Sequence, residues 1–564
     1  MTATAISYAG LAFIKALQHR YKTASPGQDN EGTLISRYFV FQLVVLSTMA
    51  AGAAGYFVHP DWYWTLLVLA PLTIIGLTDL VQSHHSILRN YPIIGHFRFW
   101  IEAVRPEIRQ YIIEDDRDPL PFSREQRALV YRRAKDVNDQ QPFGTIRDVN
   151  AVGYGWISHS IMPATVKDDD FRITIGGAQC AHPYNASVFN ISGTSFGAVG
   201  AHAILALNKG AKAGNFAHDT GEGSLSKYHR QGGGDIVWQV ASGYFGCRTP
   251  EGLFDPELFR KTATLDQVKM IELKLSQGAK PGHGGVLPKA KITAEIARTR
   301  LIDRTHDCVS PSRHSAFSTP IEMMHFIAKL RELSGGKPVG IKLCIGHRFE
   351  LLALLKAMLE TDIVPDFIVV DGGEGGTGAA PVELQNHVGL PLIEGLSFLH
   401  NALIGAGLRE RLRIGASGKI ISAFDFCRVH ALGADYVLSA RGFMFALGCV
   451  QARSCHTNKC PTGITTQDGV RQRALVVEDK WKRVNNYHRN TVKALGEMLA
   501  SAGLPHPSEI KPWHIHVRST TGEVVRGDVA YPHVSRGALL THDVEDRLLR
   551  EWKRASADSF EPLF

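Results

Sequence analysis

Three cysteines fall within twelve residues, Cys449, Cys455 and Cys460, in the string GCVQARSCHTNKCPTGI. In a reducing compartment, clustered thiols bind metal more often than they form disulfides. Three thiolates are one short of a tetrahedral zinc site or a four-iron cubane. His456 is a fourth candidate ligand, but it abuts Cys455, and adjacent residues reach one ion poorly. A three-iron cluster needs only three thiolates, and zinc stays open on spacing alone. The other five cysteines are isolated and read as core residues.

Several polar groups sit in glycine-rich turns that follow short apolar runs. QGAKPGHGG, Gln277 to Gly285, carries Lys280 in a turn stiffened by Pro281, a lysine that can be pinned over a substrate. DTGEG carries Glu222, and Arg300, on the helical stretch after the lysine loop, can fork onto a substrate carboxylate. DGGEGGTGAAP, Asp371 to Pro381, holds five glycines that permit close backbone approach to a ligand. GASGK (415–419) and SARG (439–442) follow two further runs. The backbone N–H groups of Ser417, Gly418, Arg441 and Gly442 can cradle a phosphate, with Arg441 supplying charge, and FMN is such a phosphate-bearing cofactor. Lys342 lies inside the apolar run VGIKLCI, where it needs an anion or a polarised carbonyl: a flavin edge, or a buried ion pair with a neighbouring strand.

The elements that must position these groups alternate. Strands are expected at 188–193, 212–217, 268–274, 307–310, 339–345, 366–371, 412–417 and 434–440, with helical patterns such as 320–333 and 349–360 between them. Eight such units over about 260 residues fit an α/β fold, a (β/α)8 TIM barrel whose active site gathers at the C-terminal ends of the strands. Upstream, Tyr38 to Val58 and Trp62 to Thr78 are uncharged runs separated by His59-Pro60-Asp61. A membrane crossing needs about 20 apolar residues. The pair reads as a transmembrane helical hairpin, with a buried core hairpin as the alternative. Lys15, Arg20, Lys22 and Arg37 before it and Arg89, Arg98, Arg105 and Arg109 after it place both flanks, and the body of the chain, in the cytoplasm. Residues 4–17 could form an amphipathic surface helix. Ser123 and Gln126 resemble a helix-start capping box.

The expected organisation is an N-terminal segment (1–37), the hairpin (38–79), a helical connector with small strands (80–187), the barrel with its cysteine site (188–470) and C-terminal helices and tail (471–564). With 44% hydrophobic and 21% charged residues, the 564-residue chain is not disordered. A net charge of +8 without a basic stripe argues against nucleic acid as a partner.

TGEG (220–223), QGAKPGxGGxLP (277–288), DGGxGGTGAxP (371–381) and GC-x5-CHxNxCPTGI (448–464) resemble the FMN-binding synthase domain of glutamate synthases over about half of the chain. The resemblance implies an oxidoreductase that reduces an iminoglutarate-type imine, made from a 2-oxo acid and ammonia, or runs the reverse reaction. It implies FMN and a [3Fe-4S] cluster held by Cys449, Cys455 and Cys460. By the same resemblance Glu222 and Lys280 are catalytic, and Gln277 and Arg300 bind the keto acid. Ser192, Lys342, Asp371, Gly372, Gly373, Gly375, Gly376, Ser417, Gly418, Arg441 and Gly442 form the expected flavin site. Residues 480–500 resemble helices that close the domain.

The departures from the family are informative. The first cysteine is Cys180, so nothing matches the N-terminal glutaminase nucleophile, and no glutamine hydrolysis is expected from the chain itself. The family's C-terminal β-helix and any nicotinamide-binding GxGxxG are unmatched. His283 stands where the family has glutamate and Val286 where it has glutamine. The hairpin resembles stand-alone, membrane-tethered glutamate synthase-like proteins of bacteria. It implies an inner-membrane location and an electron partner there, or a separate amidotransferase chain. An N-methylglutamate synthase-type subunit and a non-redox zinc-binding scaffold remain alternatives.

Overall fold

A computed structural model describes residues 37–115, 121–166, 170–531 and 533–563. The stretch 4–17, the basic Lys15, Arg20 and Lys22, and residues 116–120 of the turn-rich Asp115–Pro121 break lie outside the described residues. The chain divides into two compact units, Met1–Glu114 and Asp115–Phe564.

In the first unit, helix α1 (Phe39–Phe57) turns at His59 into a 3-10 segment (Pro60–Thr65) that continues as α2 (Leu66–Val81). The His59 ring accepts the Asp61 N–H at the turn. The two helices pack through small and hydroxyl side chains. Gly76 lies against the Phe41 ring so closely that a Cβ would overlap it, and Thr48 and Thr73 share a 2.8 Å hydrogen bond. Both helices, taken as Phe39–Phe57 and Pro60–Val81, are long and apolar enough to cross a membrane. Only 17% and 11% of their most apolar windows is buried, whereas the core helices of a soluble fold are mostly buried. The second helix runs past the sequence-expected end at Thr78, through Asp79, because Asp79 turns inward and is satisfied by Ile93 N–H and the His96 ring. Helix α3 (Gly95–Ile108) follows.

In the second unit, eight strands close a parallel barrel. They are β1 (Phe189–Ile191), β2 (His218–Asp219), β3 (Ile236–Val240), β4 (Val268–Lys274), β5 (Val339–Leu343), β6 (Phe367–Asp371), β7 (Arg413–Ser417) and β8 (Tyr436–Ser439). Each pairs with its sequence neighbour, and β8 closes on β1 through Val437↔Phe189 to Ser439↔Ile191. The fold is the expected TIM barrel.

Two expected strands were misplaced and one was missed. Residues 212–217 begin in helix α5 (Ala201–Ala213), and the strand follows at β2. Cys308–Val309 pairs with Val286–Leu287 in a two-stranded ribbon outside the barrel. The omitted strand is β3, whose IVWQV is bracketed by the turn signals QGGGD and ASG, so it was legible in the sequence and passed over.

Along the barrel interior the side chains change from apolar to polar. Residues two apart on a strand share a face. Met270, Glu272 and Lys274 therefore line up on β4, Phe367, Val369 and Asp371 on β6, Val237 and Gln239 on β3, and Asn190 and Ser192 at β1. The apolar end is a buried cluster of Val237, Met270, Phe367, Val369, Tyr436 and Leu438. Ile175 and Tyr184 of an antiparallel ribbon (Arg172–Ile175 with Tyr184–Ser187) join it and cap that end. The polar end is the C-terminal one. Helix α4 (Arg124–Lys135), opened by the expected Ser123–Gln126 capping box, helix α6 (Arg441–Leu447) after β8 and the long α7 (Val477–Ser501) complete the shell.

Candidate active site

The C-terminal ends of the strands open into one cavity. Its walls include Ser192, Glu222, Gln277, Lys280, Arg300, Lys342, Asp371, Gly375, Gly376, Ser417, Gly418 and Arg441. The structure thus gathers, from six of the barrel's loops and strands and two helices, most of the residues singled out by spacing. Gly372, Gly373 and Gly442 are not on the wall. Their N–H groups bond to Ser417 O, Leu390 O and Ser439 Oγ, so they brace the wall from behind.

The centre of the site is a lysine that the spacing of motifs did not reveal. Lys274, the last residue of β4, donates to Gln277 Oε1 at 2.6 Å and to Glu222 Oε2 at 3.2 Å. Its signal was a charge in an apolar strand, the same signal that marked Lys342. In register Lys342 is the β5 partner of Lys274, so the two lysines stand side by side on the inner face. Lys342 Nζ is 3.4 Å from Ser192 Oγ and 4.0 Å from Asp219 Oδ2. It therefore pairs across the barrel with β2, not with a neighbouring strand, and also faces the cavity. Burial alone would lower its pKa, but Asp371, Glu272 and Asp219 outweigh that and raise it.

Glu222 is buried, which alone would raise its pKa. Lys274, Arg300 and Lys280 more than offset this and hold it below the usual carboxylate range. The loop around Gly285 passes so close to the Glu222 carboxylate that no Cβ fits there. Lys280 is held by its Nζ to Ala379 O at 3.1 Å, and burial lowers its pKa despite the pull of Glu222. Its loop is fixed by Gly278 N–H donating to Asp371 Oδ2 at 2.8 Å. Arg300 lies buried over the Phe245 ring with Nη2 on Phe196 O, while its Nε has no hydrogen-bond partner. Deeper in the barrel, Gln239 Nε2 donates to Glu272 Oε1 (2.6 Å) and Asp219 Oδ2 (3.2 Å). Burial, with Asp219 beside it, pushes the Glu272 carboxyl up to about 8.

The donor chemistry tests the fit of a phosphate-bearing flavin. Seven cationic side chains (Lys274, Lys280, Lys291, Arg300, Lys342, Lys419 and Arg441) line the cavity against the carboxylates of Glu222 and Asp371. Such a wall favours anionic occupants. Gly375, Gly376 and Gly378 leave one wall without side chains, and a Cβ at Gly378 would meet nothing. The residues fit a flavin phosphate together with a dicarboxylate.

The three cysteines meet as well. Cys449, Cys455 and Cys460 line a second, smaller cavity that shares Arg441, Met444, Cys455 and Thr465 with the first. Among the described residues no three Cys, His, Asp or Glu side chains converge on a single ion position. Burial opposes ionisation at Cys460, but the Thr462 hydroxyl at 3.3 Å and nearby backbone N–H groups bring the thiol down to about 7. Burial raises Cys449. Arg441 reaches Cys455 Sγ at 3.8 Å and Thr377 O at 2.5 Å, so it stands between the cavities rather than only at a phosphate. Lys291, also unflagged by motif, donates to Ala198 O, Thr465 O and Cys455 O and ties the cysteine loop to the barrel.

Comparison with known proteins follows the same lines. Residues 167–505 match the family described as a conserved region in glutamate synthase. The glutamate synthase large subunit-like protein YerD of Bacillus subtilis is 38% identical over 496 residues, covering 80% of this chain and 94% of that protein. An archaeal glutamate synthase (NADPH) of Methanocaldococcus jannaschii is 35% identical over 315 residues, 56% of this chain. The match spans 58% of that relative's own length. Among solved structures, a mandelate oxidase mutant with benzaldehyde covers 71% of the chain at 17% identity with a TM-score of 0.40.

Proposed function

The chain belongs to the glutamate synthase family, oxidoreductases that act on CH–NH2 groups, and from that premise we propose that it interconverts a 2-imino acid of the iminoglutarate type and the amino acid. FMN would occupy the larger cavity and a [3Fe-4S] cluster the smaller, the latter held by Cys449, Cys455 and Cys460. The observation that carries this reading is the wall the two cavities share. When bound, FMN supplies the two-electron chemistry at the substrate carbon, fed by the cluster.

The chain's own groups bind, orient and move protons. Lys274 Nζ on Gln277 Oε1 fixes the amide, so that Nε2 is the end left to donate to a substrate carboxylate. Arg300, with its unpaired Nε, supplies a cationic contact beside it. Glu222, held ionised, acts as an acceptor or base rather than as an acid. Lys280, with its lowered pKa, releases a proton toward the substrate nitrogen more readily than a free lysine. Ser192, Lys342, Asp371, Gly375, Gly376, Ser417, Gly418 and Arg441 would hold the flavin, with Gly372, Gly373 and Gly442 bracing them. Ammonia would come from solution or from a separate amidotransferase chain. The hairpin α1–α2 would anchor the chain in the inner membrane with the barrel on the cytoplasmic side, next to a membrane electron partner.

The test is an anaerobic absorption spectrum of the detergent-extracted protein with iron and zinc quantified on the same sample, followed by turnover of 2-oxo acids with ammonia and reduced methyl viologen as the electron donor. Flavin bands together with iron, and amino-acid formation from 2-oxoglutarate, are expected. Flavin with zinc in place of iron would remove the cluster. Protein free of both flavin and iron would remove the redox reading altogether.

A further inference from the structure

The helix that follows the hairpin carries an unused apolar face. Helix α3 and the turn after it place Phe97, Trp100, Ile101, Ile108, Tyr111 and Ile112 at spacings of three, four and seven residues, hence on one stripe. All six are exposed, Phe97 and Trp100 at 60% and Ile112 at 78%, and Phe97 stacks on Trp100. Arg98 and Glu102, paired at 3.0 Å, mark the opposite, polar side. A contiguous exposed stripe of this kind marks a binding surface.

The start of α3 is tethered to the end of α2. Asp79, buried at that end, accepts the Ile93 N–H at 2.9 Å and contacts His96 Nε2 at 2.8 Å. The stripe therefore begins where the hairpin ends. Trp and Tyr on the stripe are the residues that favour the level of lipid headgroups.

We propose that α3 is an interfacial helix, lying on the bilayer with Phe97, Trp100, Ile101, Ile108, Tyr111 and Ile112 sunk into the headgroup–acyl boundary. This rests on the reading of α1 and α2 as a membrane hairpin. Arg98, Arg105 and Arg109 are nearly balanced by Glu102 and Glu107. Apolar burial rather than attraction to anionic lipid therefore drives the contact, and zwitterionic phosphatidylcholine suffices. In function the helix would hold the start of the connector at the membrane surface.

The experiment uses the full chain in phosphatidylcholine nanodiscs, with p-benzoylphenylalanine replacing Phe97, Glu102 or, in α1, Leu46. After irradiation, mass spectrometry reads what each position has captured. Phospholipid adducts are expected at 46 and 97, with the yield at 97 roughly tenfold above that at 102. The yield should be unchanged in about 0.5 M salt, which shortens electrostatic reach to a few ångströms. Lipid at 46 with no adduct at 97, a cross-link from 97 to residues 115–564, or a cross-link from 97 to a second copy would each overturn the interfacial helix and leave the hairpin standing. Absence of lipid at 46 would overturn the hairpin, and the inference with it.

Discussion

Lys274 joins two residues that sequence motifs had already marked, Glu222 and Gln277, so its removal should cost more than one hydrogen bond. Lys274→Ala leaves the Glu222 carboxylate short of its nearest cation and the Gln277 amide free to rotate. We expect kcat/KM for amino-acid formation to fall about 100-fold, near 2.7 kcal/mol of transition-state stabilisation, with flavin content retained. A fall of less than threefold would remove Lys274 from the machinery. Glu222 also raises the Lys280 pKa against the effect of burial. In Glu222→Gln that support is lost and the Lys280 pKa drops further. The alkaline limb of the residual rate, read from a pH profile, should therefore move to lower pH; a limb that stays put or rises would separate Lys280 from Glu222. Glu222 and Lys280 lie on loops, but Lys274, like Lys342, was signalled by a charge within a barrel strand. That signal was legible for Lys342, whereas Lys274 sat at a strand end where a lysine passes for an ordinary boundary residue.

The strand–loop units explain why so much of the site could be read before its geometry was known. A glycine-rich turn after an apolar run is a local feature, and in a barrel each such turn reaches the same rim. Which loops touch is not local. The loop after β4 interlocks with the loop after β2 at Gly285 and Glu222, and nothing in GEGS or GHGGV announces that contact. Gly285→Ala should force the carboxylate aside. Overpacking of this kind costs about 1–3 kcal/mol, and we expect a small loss in thermal midpoint with a larger loss of turnover. Near-wild-type turnover would show that the loops part without consequence. The eight-unit count was right although its parts were not. Residues 307–310 form a strand pair outside the barrel, and β3 was missed. Short apolar runs do not say whether their hydrogen-bond partners lie in the barrel or in a ribbon.

At the scale of the whole molecule, the barrel interior runs from an apolar floor to a charged rim, and Glu272 sits at the change. Its folded pKa, about 8, lies above the ordinary carboxylate value. Between those two values the folded state holds a proton that the unfolded chain has lost, so stability falls as pH rises through that window. Glu272→Gln cannot ionise. Its thermal midpoint relative to the parent should improve from pH 5 to about pH 8 and level off above that, and a difference independent of pH would contradict the buried, protonated acid. By itself the sequence determined the fold class, the apolar hairpin segments, the capping box at Ser123, the cysteine triplet and most of the cavity wall. Each of these is written in local periodicity or in the spacing of a motif. Only the tertiary structure decided that Lys274 and Lys342 stand abreast, that Arg441 reaches Cys455, that the two cavities share a wall and that Gly372, Gly373 and Gly442 brace that wall rather than form it. Those facts depend on strand register and barrel closure, which bring together residues far apart along the chain and which no single stretch of sequence encodes.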